Sequence, residues 1–440
     1  MQVTVEKKEG IHCVLNVELP AAEVDGEVTK RIKEVAKTAK VDGFRPGKVP
    51  ASMIKRKYGK DIRAEVIDKI LPGKSAEALK EKALNPAGIE ADITQNKEGQ
   101  ELKFTLNLEL FPEIKIDNLD KIKIEKPMVE LGETQHKEMV KKLQKQFASW
   151  QAVDREVRME DRVVIDFVGR VDGEVFEGGS ADASELVIGS RQMIPGFEEG
   201  IIGMKKGEEK TISVTFPKDY QNQELAGKEA SFDVVVKEIK EAILPKIDEA
   251  FTAKLDIKGG LDAFHAELKK NMARELGVAI ERSIKAQVLE GLVKQIEFEV
   301  PKALIKREIE NLKRQFLDNM KAGAKKAPFK LKDLPDELFV KRAENAVKLS
   351  LILNAINEIQ KFEADDQAVD AMIEETVSVY EDADEMRRHL KEDQKELGHL
   401  KAAVIEKKLV DWVSKQAEVI NTPKDYFELI RRTMPNAPLQ

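Results

Sequence analysis

The 440-residue chain has a single cysteine, Cys13. No intrachain disulfide can form, and no thiolate cluster can hold zinc or an iron–sulfur centre, so a reducing compartment fits. Aromatic residues are scarce, at 5% against 35% charged. That balance suits long, solvated, amphipathic helices better than an aromatic-rich β-sandwich. Positive charge is not in excess: 74 basic against 81 acidic residues give 74 − 81 = −7. The chain therefore does not coat nucleic acid through overall charge, although local basic spots remain open. No run of about 18 apolar residues is present to span a membrane. The first ten residues, MQVTVEKKEG, lack a basic segment followed by an apolar one, as a secretory signal requires. Together these absences predict a cytoplasmic protein with no membrane partner.

Several enzyme signatures are missing too. Leu71-Pro72-Gly73-Lys74-Ser75 mimics the end of a phosphate-binding loop, but Asp68 stands where that motif needs glycine, and its carboxylate would repel phosphate. The five histidines, at 12, 136, 265, 389 and 399, never approach HExxH spacing and read as structural or surface residues. No metal and no cofactor are expected.

What is present falls into three styles, and 440 residues exceed what one hydrophobic core usually supports. The first style mixes strands and helices. Apolar residues alternate over Ile11 to Leu19 and again over Leu102 to Leu110, which predicts two half-buried strands. Val24, Val28, Ile32 and Val35 recur at helical spacing after Pro20, and a second helical stretch, around Ile62 to Leu84, is expected to break at Leu71-Pro72-Gly73. This unit covers 1–112. The segment 113–149 is a linker with a helix, Met139, Val140, Leu143 and Phe147 lying at helical intervals. A second style, 150–244, is mostly short strands separated by the turns VDGEVF and KKGEEK, with one short helix starting at Pro195-Gly196. The third, 245–440, is long, charged and helix-periodic. The expected fold class is therefore multidomain α+β: an N-terminal α+β domain, an antiparallel-sheet domain with one short helix, and an all-α C-terminal body into which the sheet domain is inserted.

One row in that body stands out: Phe264, Leu268, Met272, Leu276, Ile280, Ile284, Val288, Leu292 and Ile296 recur every four residues. Each step turns about 400°, so the row drifts about 40° per step around the axis. One flat neighbour cannot cover it. Either successive stretches pack against different partners, or part of the row is an exposed stripe for clients.

In the sheet domain, VIDFVGRVDGEVFEGG, MIPGFEEG, FPKDY and SFDVVV read by pattern alone as ordinary core. In combination, from about Asp161 to Ile239, they resemble the FK506-binding (FKBP) family of peptidyl-prolyl isomerases, whose half-open antiparallel sheet wraps a short helix. The resemblance implies a pocket lined by Phe167, Phe176, Met193, Ile194, Phe197, Tyr220 and Phe232, with Glu177 beside it where the family often has aspartate. It also implies that the aromatics grip a proline ring, that the Ile194 amide holds a peptide carbonyl, and that Glu177 and Tyr220 orient the twisted unit.

The segment DGFRPGKVP, Asp42 to Pro50, joins two helical stretches. Glycine and proline set its shape without a core, and an aromatic beside arginine and lysine has the composition of a docking tip, though also of a plain turn. With this segment, an FKBP-type insert and a helical body in that order, the whole chain resembles the bacterial trigger factor family. The resemblance implies an ATP-independent chaperone that docks at the ribosomal exit tunnel through Gly43, Phe44, Arg45, Pro46, Gly47 and Lys48. Its implied partners are an exit-tunnel protein, ribosomal RNA, and nascent and unfolded polypeptides, with a weak homodimer off the ribosome. The rivals are a free prolyl isomerase or holdase without ribosome docking, and an assembly protein with an inert pocket.

Overall fold

The computed structural model describes residues 1–39, 44, 49–218, 220, 222–255, 257, 259–323, 330–377 and 382–433. The N-terminal layer consists of β1 (Gln2–Glu9), β2 (His12–Leu19), α1 (Ala21–Thr38), α2 (Ala51–Glu81), β3 (Pro86–Gln95) and β4 (Leu102–Leu110). Its antiparallel sheet runs β1-β2-β4-β3. The alternation expected over β2 and β4 is realised as the central pair: Leu15 faces Leu106 and Val17 faces Phe104. All four are buried against Val24, Val28 and Ile32 of α1 and Ile54, Ile62 and Ile67 of α2.

The expected break at Pro72 does not occur. Helix α2 runs through it, from Ala51 to Glu81. A proline inside a helix removes one hydrogen bond and costs about 3 kcal/mol. Here Ile62, Val66 and Ile67 before it, and Ala78 and Leu79 after it, all enter the same core. Burial on both sides offsets the local defect, because each fully buried aliphatic side chain contributes about 1.5–3 kcal/mol.

Then follow β5 (Lys123–Met128), α3 (Glu133–Gln146), β6 (Ser149–Ala152), β7 (Arg162–Val171), β8 (Glu174–Val187), α4 (Phe197–Ile201), β9 (Glu209–Thr215) and β10 (Glu229–Ile243). The remainder is α5 (Glu249–Lys254), α6 (Gly260–Gln295), α7 (Lys302–Gly323), α8 (Glu337–Gln360), α9 (Asp366–Val377), α10 (Ala383–Glu392), α11 (Gln394–Ser414), β11 (Glu418–Pro423) and α12 (Tyr426–Thr433). The C-terminal body is helical as expected, apart from β11, which pairs with β5.

By compactness the chain divides into two units, Met1–Lys126 with Ser283–Asn421 and Pro127–Arg282 with Thr422–Gln440. In the second, Met272 and Ala279 of α6 are buried with Met139 of α3 and Tyr426, Leu429 and Ile430 of α12. In the first, Val288, Leu292 and Ile296 of α6 are buried with Ile352 and Ile356 of α8 and Leu409, Val410 and Val413 of α11. Of the four-residue row of α6, Phe264, Met272, Val288, Leu292 and Ile296 are buried and Leu268, Leu276, Ile280 and Ile284 half-buried, packed against different partners along its length, in keeping with the 40° drift.

Candidate active site

In the second unit, β10 is the spine of a five-stranded antiparallel sheet. It pairs with β7 along one edge and with β9 and β6 along the other, and β8 extends the sheet beyond β7. Phe167 stands on β7 and Phe232 on β10, while α4 brings Phe197 onto the same face. Their rings meet edge-to-face or tilted, with centroids 5.6 Å apart for Phe167–Phe197, 5.1 Å for Phe197–Phe232 and 6.1 Å for Phe167–Phe232. All three are buried, Phe197 completely.

From this floor the rings continue outward. Phe176 lies 6.0 Å from Phe232 and 5.8 Å from Phe216, and Phe216 lies 4.7 Å from Tyr220. Phe176 is half-buried and Tyr220 is 37% exposed. Phe216 between them is buried, so the series joins a dry floor to one exposed ring, Tyr220, and the edge-to-face geometry adds about 0.5–1.5 kcal/mol per pair beyond area burial. Two glycines admit it. A β-carbon at Gly169 would lie 2.5 Å from the Phe232 ring and 2.9 Å from that of Phe176, and one at Gly179 would lie 2.7 Å from Phe176.

Met193 and Ile194, partly buried, pack against the same cluster from the loop ahead of α4. What shapes that loop is Glu198, whose side chain is buried in the first turn of α4. Its carboxylate accepts from the backbone N–H groups of Gly189 (2.7 Å), Arg191 (3.1 Å), Gln192 (3.0 Å) and Met193 (3.3 Å), and from the Ser190 hydroxyl (3.2 Å). Gly189 and Arg191 sit at φ 91° and 60°; for arginine that left-handed conformation is uncommon. One acid gathers five donors and fixes where Ile194 emerges.

Of the expected site residues, the structure brings Phe167, Phe176, Met193, Ile194, Phe197 and Phe232 into one cluster. Among the described residues, Tyr220 joins them through the ring of Phe216. Glu177 lies exposed next to Phe176, without an ion-pair partner among the described residues. Sequence reasoning missed Phe216, although it opens the quoted FPKDY, and missed Glu198, the first acid of FEEG. Of the expected docking residues, Phe44 is exposed, while Gly43, Arg45, Pro46, Gly47 and Lys48 lie outside the described residues.

Comparison with known proteins bears on the whole chain. The family profile described as bacterial trigger factor protein matches residues 1–143, that of the trigger factor C-terminus matches 260–415, and that of the FKBP-type peptidyl-prolyl cis-trans isomerase matches 153–237. A trigger factor of Francisella philomiragia is 52% identical over 434 residues, covering 99% of this chain and 98% of the relative. The chain belongs to the trigger factor family. The trigger factor of Idiomarina loihiensis is 39% identical, covering 98% of this chain and 99% of that one. A solved trigger factor chaperone aligns at 18% identity with a TM-score of 0.47, over 94% of this chain and 99% of that chain. As a trigger factor, the protein is a ribosome-associated chaperone for nascent chains and a peptidyl-prolyl cis-trans isomerase of the FKBP type. Among the described residues, no helix is long and apolar enough to cross a membrane.

Proposed function

We propose that the ring series from Phe197 to Tyr220 is the proline-binding and isomerising pocket. The observation that carries this reading is the aromatic surface beside a loop pinned by Glu198. Rotation about a prolyl amide faces a barrier of about 18–20 kcal/mol from C–N double-bond character, and no bond has to break. The planar amide is the more polar and better-hydrated state. Moving it into an apolar cleft withdraws that stabilisation, while groups that hold the twisted carbonyl favour the crossing. Phe167, Phe197 and Phe232 form the floor for the proline ring, with Phe176 and Met193 as walls. The Ile194 N–H, which has no acceptor among the described residues, holds a peptide carbonyl. Tyr220 and Glu177 orient the chain at the rim.

Tyr220 separates binding from folding, because it is exposed. In Tyr220→Ala, turnover of a short Xaa-Pro peptide is expected to fall about fivefold, the equivalent of about 1 kcal/mol, with thermal unfolding nearly unchanged. Exchange NMR measures both cis and trans populations. Native turnover in that variant would remove Tyr220 from the pocket.

Ribosome docking belongs, in the same proposal, to the loop of residues 43–48 on a domain of residues 1–112. Phe44 enters a cleft on an exit-tunnel protein, and Arg45 and Lys48 meet ribosomal RNA phosphates. The exposed Phe44 supports this. Phe44→Ala is expected to weaken co-sedimentation with ribosomes about fivefold, since an aromatic anchor truncated at an interface typically costs 1 kcal/mol or more; unaltered binding would reduce the loop to a turn. The helical body, 245–440, holds unfolded chains. Exposed Phe316 on α7 and Leu338 and Val340 on α8 supply apolar surface between charges. Residues 113–149 link the domains, and 150–244 form the isomerase domain. A cytoplasmic location is consistent with the lone buried thiol of Cys13. A weak homodimer off the ribosome is supported by Ile89 and Ile93, exposed on edge strand β3.

A further inference from the structure

Beside the Phe44 loop, the same domain carries a basic stretch. Immediately after Pro50, α2 opens with Ala51-Ser52-Met53-Ile54 and then carries KRKYGK, residues 55–60, four cations without an acid. Arg56, Lys57 and Lys60 are exposed. At 100° per residue, positions 56, 57 and 60 fall within about 100° of arc, on one side of the helix.

These residues line a cleft of about 920 Å³ between α1, α2 and the turn joining β3 to β4, with Val28, Thr29 and Ile32 on its α1 wall. The cleft also contains Asp25, Asp61 and Glu98, so its free charge depends on who is paired. Asp25 accepts from Arg63 at 2.5 Å and from the Gly99 N–H at 3.1 Å. Glu98 pairs with Lys55. Arg56 and Lys60 form no ion pair among the described residues, and Lys57 has only the Tyr58 ring, 5.3 Å away. Among the described residues, three cations without an ion pair thus share the cleft with one acid without one, Asp61, on a chain of net charge −7.

We infer that Arg56, Lys57 and Lys60 form a phosphate-binding face that grips the ribosomal RNA backbone when the loop docks. The inference rests on docking through the Phe44 loop. Charge complementarity carries it: free cations on a net-negative chain make a local electrostatic footprint, and a polyanion is its fitting partner. An arginine and two lysines at the rim of a cleft suit phosphate oxygens, which position a protein without reading sequence.

The test is the salt dependence of ribosome binding by the full chain, compared with Arg56→Gln, Lys57→Gln, Lys60→Gln combined and, separately, with Phe44→Ala. Each phosphate contact contributes about 0.7–0.9 to the slope of log K against log salt. Losing three is expected to lower the slope by about 2–3 and to weaken binding most at low salt, whereas Phe44→Ala weakens binding at unchanged slope. An unchanged affinity and slope in the glutamine variant, with Phe44→Ala still impaired, overturns the basic face and leaves loop docking intact. Weaker binding at unchanged slope points to a protein partner and overturns the RNA assignment. No binding by the native chain, or none lost in Phe44→Ala, overturns the docking reading itself. The three side chains are exposed, and equal thermal unfolding of the glutamine variant confirms an intact domain.

Discussion

Truncation of Phe197 to alanine is expected to lower prolyl isomerisation of a short Xaa-Pro peptide at least tenfold, while ribosome association stays intact. The side chain is fully buried and touches the rings of Phe167 and Phe232. Its loss removes the floor of the proposed pocket and also opens a cavity in the core. Phe→Ala truncations in cores cost about 3–5 kcal/mol, so unfolding of the sheet domain should move to markedly lower temperature. That dual effect confounds a simple activity assay. Phe197→Leu resolves it: more of the core stays filled, so stability falls by less than in the alanine variant. The edge-to-face contacts to Phe167 and Phe232 are still gone. Turnover that falls in Phe197→Leu, measured well below its unfolding midpoint, assigns the ring to catalysis. Native turnover in both variants would place isomerisation elsewhere on the chain.

How far the sequence revealed this architecture depended on burial. β2 and β4 were legible because each has a fully buried face, with Leu15, Val17, Phe104 and Leu106 alternating against polar neighbours. Their outer partners were not. β1 buries only Val3 of its eight residues, and β3 leaves Ile89 and Ile93 exposed, so neither shows the alternation that marks a half-buried strand. β11 was hidden for the same reason, as a short exposed strand in a helix-periodic region. The continuity of α2 through Pro72 was illegible because local propensity argues for a break, and only tertiary burial on both sides overrides it.

The site divides along similar lines. By pattern alone Phe167, Phe176, Phe197 and Phe232 read as ordinary core, and it was the resemblance to the FKBP family that marked them as candidate pocket residues. Phe216 escaped because it continues the Ile212, Val214 alternation just past the end of β9 and so reads as ordinary core. Glu198 escaped for a different reason: an acid in a helix's first turn ordinarily favours the positive end of the dipole at the surface. Nothing in its neighbours distinguishes a buried carboxylate from an exposed one. Only the fold shows that the Gly189–Met193 backbone wraps around it.

That placement makes Glu198 the positioning residue with the largest expected effect. In Glu198→Ala, four N–H groups and one hydroxyl lose their acceptor inside the protein. A buried donor left unpaired costs about 1–3 kcal/mol, so even if water reaches three of the five, the two remaining cost about 2–6 kcal/mol. The loop can escape that penalty only by opening, which carries Met193 and Ile194 away from the aromatic floor. A displacement of about 1 Å at a reacting centre can lower the rate about 100-fold, and turnover is expected to fall by that order. Glu198→Gln has nearly the same shape but exchanges one acceptor oxygen for an amide donor. One side of the cradle, either Gly189 and Arg191 or Gln192 and Met193, then faces a donor, so the loss should be intermediate. Hydrogen exchange gives the readout that a merely stabilising role would not move. The amides of residues 189–193 should exchange much faster in Glu198→Ala, while those of β7 and β10, whose ladder is independent of Glu198, keep their protection. Native turnover with fully protected loop amides in that variant would show that the loop holds its shape without Glu198.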